Sequence, residues 1–292
     1  MDRRSLLRAA APLLFAAAWA PDRPVRLVVP FPPGGPTDIV ARLLAQKLAE
    51  PLGQPVVVEN RGGAGGNLGA EHVARSPADG HTLLLATVGV LAINPALYAR
   101  LPYDAAADLA PVALVAAAPV ALVAHPSVPA RTAAELVEWA KARPRQVVFG
   151  SAGNGTPGHL AGEIFNSLTG AGLTHVGYRG SGPAIQDLVG GQIPLAFDPV
   201  QSVLPHIEAG RVLALAISNP SRIPALPGVP TMAEAGVPGH ETTAWWAEEW
   251  RSQLSRLGID PVVRTGPDLV AFIRAEAAKW GEAVRASGAR AD

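Results

Sequence analysis

Residues 25–50 read VRLVVPFPPGGPTDIVARLLAQKLAE, and this stretch restricts the fold more than any other. VRLVV is a short, continuous apolar run, as expected of a strand buried on both faces. Ile39, Val40, Leu43, Leu44 and Leu48 then recur at the spacing of one helix face. Between them lies PFPPGGPTD, a connection stiffened by proline, bared by glycine and uncharged until Asp38. A buried strand that feeds a helix through so short a connection is the unit of an α/β fold.

The same grammar repeats down the chain. PVVVEN, the glycine-rich NRGGAGGNLGA, a short helix to ARSPADG and the strand HTLLLATV complete a first series. APVALVAAAPVALVAH follows without a helix and reads as two buried strands broken at Pro119, where the chain crosses into a second domain. RTAAELVEWAKARP starts a helix with Thr132 and Glu135 at capping-box spacing. Strands QVVFGSA, THVGYRG, IPLAFDP and VLALAIS then alternate with helices GHLAGEIFNSLTG, PAIQDLVGG and SVLPHIEAG. After Ser218 the proline-rich segment resembles a return to the first domain. AEEWRSQLSRLG and GPDLVAFIRAEAAKWGEAVRASG are expected to be helical, the second burying Leu269, Phe272, Ile273, Ala277, Trp280 and Val284. The expectation is an α/β protein with mostly parallel sheets, a domain of residues 21–115 and 225–292, a second of residues 116–224, and a cleft between them.

The totals narrow the function. Of 292 residues 49% are hydrophobic and 16% charged, the balance of a packed globule. The 24 Lys and Arg are matched by 24 Asp and Glu with no basic run, which argues against nucleic acid as a partner. The absence of cysteine excludes disulfides, thiolate metal sites and a cysteine nucleophile. The seven histidines show no metal-ligand spacing and most are expected at the surface; neither metal nor cofactor is expected. Arg3, Arg4 and Arg8 precede an apolar stretch that ends in small residues, so residues 1–20 read as a secretory leader, with cleavage after Ala18 or Ala20.

In open α/β sheets ligands bind at the carboxyl ends of strands, where PFPPGGPTD and GSAGNGTPG lie. A helix start presents unpaired N–H groups and partial positive charge, and attracts an anion without Lys or Arg. Two such loops, one per domain, point to capture of a small anion. Arg61 and Arg179 are the basic residues nearest the loops, and Trp245 and Trp246 are candidates for the cleft wall or the core. Competing motifs are incomplete. Gly153, Gly155 and Gly158 spell G-x-G-x-x-G, but Tyr178 and Arg179 stand where an acidic residue should meet a ribose. The glycine loops lack the lysine of a P-loop, and Phe149 occupies the first glycine position of a nucleophile elbow. An enzyme using Ser151, His159 and Asp198, or the loop at Gly153, is the alternative reading.

The motifs VPFPPGGPTD, VENRGGAGGNLGAEHVARSPADGHTLL, INPALY, LPYDAAADLAPVALVA, FGSAGNGTPGHLAGE and GYRGSGPAIQDLVGGQIPLAFD resemble the Bug family. These are extracytoplasmic solute receptors of tripartite tricarboxylate transporters. The resemblance implies an exported, monomeric, non-catalytic periplasmic binding protein of type II-like architecture, whose two domains close on a small organic carboxylate and which serves membrane transporter subunits. Carried onto matching positions, it implies ligand contacts at Phe31, Gly34, Gly35, Pro36, Thr37, Asp38, Asn67, Thr87, Ser151, Asn154, Thr156, His159, Tyr178 and Asp198. After Trp246 the chain departs from the family pattern: a strand and much of a helix are missing, which leaves a non-binding receptor homologue as a further alternative.

Overall fold

The computed structural model describes residues 20–240, 242–247 and 264–290. Residues 1–19 of the expected leader, most of the expected helix in AEEWRSQLSRLG and the site of the apparent deletion lie outside the described residues.

The first domain is organised around β1 (Val25–Val29), which pairs in parallel with β2 (Val56–Asn60) and β3 (Thr82–Leu84) in the order β2-β1-β3. Helix α1 (Pro36–Leu52) starts at N-cap Gly35 with Pro36 in its first turn. It stops at Gly53, whose left-handed φ of 63° ends the helix. Helix α2 (Asn67–Ala74), a π turn at Gly89–Ile93 and α3 (Asn94–Leu97) follow. Leu27, Val29, Val40, Ala41, Ile93 and Leu97 form the core with Trp280 and Val284 from the far end of the chain.

Strand β4 (Ala113–Ala124) makes the crossing as one strand of 12 residues, not two. Pro119 does not break it because β4 changes partners there. Its first half pairs antiparallel with β9 (Thr243–Ala247) and β10 (Arg264–Thr265), and its second half with β7 (Leu195–Pro199) and β8 (Leu213–Ile217). The missing N–H of proline falls where one set of partners hands over to the next. Just beyond it, Val120 N–H donates to Ser218 Oγ at 2.9 Å, and Ser218 N–H donates to the Val120 carbonyl at 2.9 Å. The Ser218 hydroxyl in turn donates to the Thr242 carbonyl, so one buried serine joins the outgoing and returning chains.

In the second domain, β5 (Val148–Ser151) pairs in parallel with β6 (Thr174–Gly177) and β7. Because β4 runs antiparallel to all of its partners, the larger sheet is mixed, whereas the three-stranded sheet is parallel throughout. Helix α4 (Ala133–Lys141) is capped as expected: Thr132 Oγ1 accepts from Glu135 N–H at 3.1 Å. Glu135 reaches back to Arg131 N–H at 2.7 Å rather than to the cap itself. Helices α5 (Pro157–Thr169), α6 (Ser181–Val189) and α7 (Val200–Glu208) cover the sheet.

Met232 and Val237 belong to the core built on Phe149, Phe165 and Phe197, while Ile223 and Leu226 join the one under α6 and α7. First-domain pairing resumes only at β9. The chain closes with α8 (Gly266–Ser287), which buries Leu269, Trp280 and Val284 and half-buries Phe272, Ile273 and Ala277. Among the described residues no helix is long and apolar enough to cross a membrane.

Candidate binding site between the domains

Four helices begin around one cavity of about 60 Å³. The first domain contributes Phe31, Pro32, Pro33 and the start of α1 at Gly35, Pro36 and Thr37, with Thr87 and Val88 beside them. The second contributes Ala152 and the start of α5 at Thr156, Pro157 and Gly158. The start of α6 adds Gly180, Ser181, Gly182 and Pro183, and Asp198 and Pro199 lead into α7. The volume exceeds the roughly 10–15 Å³ one water requires and suits a few ligand atoms with waters.

Among the described residues the wall carries no lysine, arginine or histidine, and Asp198 is its one ionisable residue. Proline at the first turns of α1 and α5 presets the helical φ where no N–H partner is required. Glycine keeps the backbone bare where the domains meet. A Cβ at Gly65 would lie 2.6 Å from the Asn154 carbonyl oxygen, and one at Gly89 would lie 2.7 Å from that of Gly155. Thr87 Oγ1, Ser181 Oγ and both carboxyl oxygens of Asp198 are buried without a hydrogen-bond partner. Buried polar atoms are normally paired, so this group, drawn from both sides of one cavity, marks a place prepared for polar atoms from elsewhere.

Of the fourteen residues expected to touch ligand, Phe31, Gly35, Pro36, Thr37, Thr87, Thr156 and Asp198 line the cavity. The others stand behind it, and most brace the loops. Asp38 accepts from Gly34 N–H at 2.9 Å, Asn60 Nδ2 at 2.9 Å and Arg42 Nε at 2.8 Å. Burial alone would raise its pKa, but these hydrogen bonds outweigh burial and hold it below the ordinary value. Asn67 Oδ1 accepts from Asn94 Nδ2 at 2.6 Å and the Tyr103 hydroxyl at 3.0 Å. Tyr178 donates to Asp187 at 2.7 Å, and Asn154 is exposed.

Ser151 is fully buried, and its Oγ lies 2.7 Å from His175 Nε2. His159 stacks on that ring at 4.1 Å and accepts from Gly155 N–H at 3.2 Å. The imagined Ser151, His159, Asp198 relay is therefore not assembled: the serine pairs with a different histidine and is closed to substrate. His159 and His240 are buried and the other five histidines are half-buried, so none is as exposed as the surface expectation for most of them implied.

Burial lowers the pKa of His159 to about 4. Burial, with the repulsion of His159, lowers that of His175 to about 3. Both groups are depressed below 6.5, so the unfolded chain binds more protons in that range. Stability is full above about pH 6.5 and falls as pH drops toward 4, with a slope of up to about 2.7 kcal/mol per unit from two protons. Urea midpoints between pH 7 and 4 should show this decline, and His159→Gln should make it shallower. A flat profile would contradict a neutral, buried pair.

The cavity residues that sequence reasoning missed are mainly Gly180, Ser181, Gly182 and Pro183 at the start of α6. The signal was present, since GYRGSGP repeats the strand, glycine, proline and helix grammar of PFPPGGPTD. Arg61 is engaged with Glu59, at 2.6 Å from Nε, and neither it nor Arg179 lines the cavity. The backbone of Trp245 and Trp246 pairs with Ala117 and Ala116 in β4.

Comparison with known proteins gives this geometry a family. Residues 40–249 match the family model described as "Tripartite tricarboxylate transporter family receptor". Protein BugT of Bordetella pertussis is 38% identical over 307 aligned positions, which cover 96% of this chain and 94% of that protein. A structure described as "R. palustris Rpa4515 with adipate" is 36% identical with a TM-score of 0.88, covering 92% of this chain and 98% of the other. MatC (Rpa3494) from Rhodopseudomonas palustris, with bound malate, is 33% identical with a TM-score of 0.84 over 90% of this chain and 99% of that one. The chain belongs to the tripartite tricarboxylate transporter receptor family, the Bug family, whose members bind solutes and do not transform them.

Proposed function

We propose that this receptor captures a small organic carboxylate between its two domains and holds it largely through backbone N–H groups. The observation that carries the reading is the convergence of four helix starts and several unpartnered buried polar atoms on a cavity without a cationic side chain. Each helix start offers N–H groups that have no partner within the helix, together with a partial positive charge. A carboxylate fits that arrangement, and adipate and malate in the related structures are of this class.

Phe31, Gly35, Pro36, Thr37, Thr87, Thr156, Ser181 and Asp198 form the contact surface in this account. Gly34, Asp38, Asn67, Ser151, Asn154, His159 and Tyr178 fix the loops that carry it. The described residues before Pro119 and after Thr242 form one domain, and those between form the other. The receptor works as a monomer in the periplasm, exported by the leader at residues 1–20, and delivers its solute to the membrane subunits of a tripartite transporter.

The test is thermal unfolding of the leaderless protein with adipate, malate, succinate and benzoate. An acid at about 100 times its dissociation constant adds about 2.7 kcal/mol and should raise the midpoint by roughly 5–10 °C. A midpoint that none of the four acids moves would contradict carboxylate capture.

A further inference from the structure

We propose that Asp198 takes up one proton from solvent when a carboxylate binds, and that its O–H then donates to a ligand oxygen. The inference rests on the reading of the cavity as a carboxylate site. Asp198 lies on the cavity wall at the end of β7, just before α7, and is 0% exposed. Neither of its oxygens has a hydrogen-bond partner. The Ser181 and Ser202 hydroxyls stand nearest, but neither closes a hydrogen bond of proper geometry.

Among the described residues no cation lines the cavity to offset the charge. The other titratable groups on the surrounding elements are engaged or remote from the wall. On α5, His159 is turned to Gly155 N–H, and Glu163 does not line the cavity. On α6, Asp187 is held by the Tyr178 hydroxyl. On α7, His206 and Glu208 belong to the last turn. On α1, Asp38 and Arg42 pair with each other. The β4 residue beside Asp198 is Ala121.

A ligand carboxylate and Asp198 side by side in so small a cavity, with no cation on its wall, disfavour each other's ionised form, as in any site where like charges meet. The helix starts that favour a ligand carboxylate also favour an ionised Asp198, so the two compete until one is protonated. Burial already raises the Asp198 pKa to about 7, with the two serine hydroxyls opposing weakly. The approach of a second negative charge raises it further. The balance is simple: an ionised Asp198, an ionised ligand and one proton give a carboxylic acid hydrogen-bonded to a carboxylate.

The same charge balance defines what the site rejects. A ligand that places an ammonium group at Asp198 would keep the aspartate ionised and release no demand for a proton. The selected ligand is therefore an acid with no amino group at this end.

Isothermal titration of the leaderless protein with adipate, malate and succinate at about pH 8, in buffers of different ionisation enthalpy, reads the proton count directly. The expected result is uptake approaching one proton per bound acid and an affinity that falls about tenfold per pH unit above pH 8. Asp198→Asn, neutral at every pH, should bind without proton uptake and with an affinity that no longer falls as pH rises above 8. Binding to the native receptor without proton uptake, or an affinity that rises with pH, would overturn the proposal and leave carboxylate capture standing. Failure of all three acids to bind would instead remove the carboxylate reading and this inference with it. If Asp198→Asn does not fold, the proton count of the native receptor decides alone.

Discussion

Replacing Gly35 with valine should weaken binding of a carboxylate by at least about 100-fold, a loss of about 2.7 kcal/mol, while the protein still folds. Gly35 is the N-cap of α1 and forms part of the cavity wall. Its φ of −81° and ψ of 172° suit any residue, and an added Cβ would meet only the Pro32 carbonyl oxygen, at an ordinary 3.8 Å. The valine methyl groups therefore occupy space that belongs to the ligand. Valine is a poor N-cap, so the helix start loses about 1 kcal/mol. The unliganded midpoint should drop by only about 2–4 °C. Gly35→Ser restores a capping side chain and separates the two effects. The neighbouring Gly34 is a weaker test, because at φ 82° any side chain strains the backbone and mixes folding with binding. An affinity for adipate or malate unchanged in Gly35→Val would contradict a ligand seated on the start of α1.

The largest effect on stability is expected at Gly158. A Cβ there would lie 2.0 Å from the Phe197 carbonyl oxygen, 3.0 Å from its carbon and 3.3 Å from Ser151 Cβ. The first of these is backbone in a central strand, so it cannot swing aside as a side chain end would. Gly158→Ala must push the start of α5 away from β7, at a cost of about 3 kcal/mol, the upper part of the range for overpacking. The midpoint should fall by roughly 6–12 °C. Binding should suffer as well, because α5 and the Asp198 to Pro199 segment form adjoining parts of the cavity wall. Gly182→Ala is the control, since a Cβ there meets nothing within 4 Å and should move the midpoint by less than about 2 °C. Equal midpoints for Gly158→Ala and the native protein would mean that the helix start is not held where the account requires it.

The sequence made the strand, loop and helix units legible because each carries its own local signals: an apolar run, then glycine and proline, then helix periodicity. Gly53 and Gly170 end α1 and α5 with left-handed φ, and Thr132 and Thr156 cap α4 and α5. What the sequence concealed was long-range pairing. Pro119 marks a change of partners that only the finished sheet reveals, so one strand read as two. Met232 and Val237 lie in a proline-rich stretch whose composition suggests a linker, yet both are buried in the second core.

The site was half legible for the same reason. Glycine and proline located the loops, and the family resemblance located the positions, but neither separates a side chain facing the cavity from one bracing the loop behind it. Asp38 and Asn67 look like ligand contacts in the sequence, yet their oxygens are already taken by Gly34 N–H, Arg42, Asn60, Asn94 and Tyr103. Asp198 has the same chemistry and no partner, a difference set entirely by which residues surround it.

The most direct measurement is a crystal structure of the leaderless receptor grown with whichever of adipate, malate, succinate and benzoate raises its unfolding midpoint most. The expected result is a carboxylate in the cavity between Thr37 and Ser181, within hydrogen-bond distance of backbone N–H groups at the starts of α1 and α6, with Asp198 beside it and no Lys or Arg in contact. A carboxylate bound elsewhere, or held in an ion pair by Arg61 or Arg179, would contradict capture by helix starts.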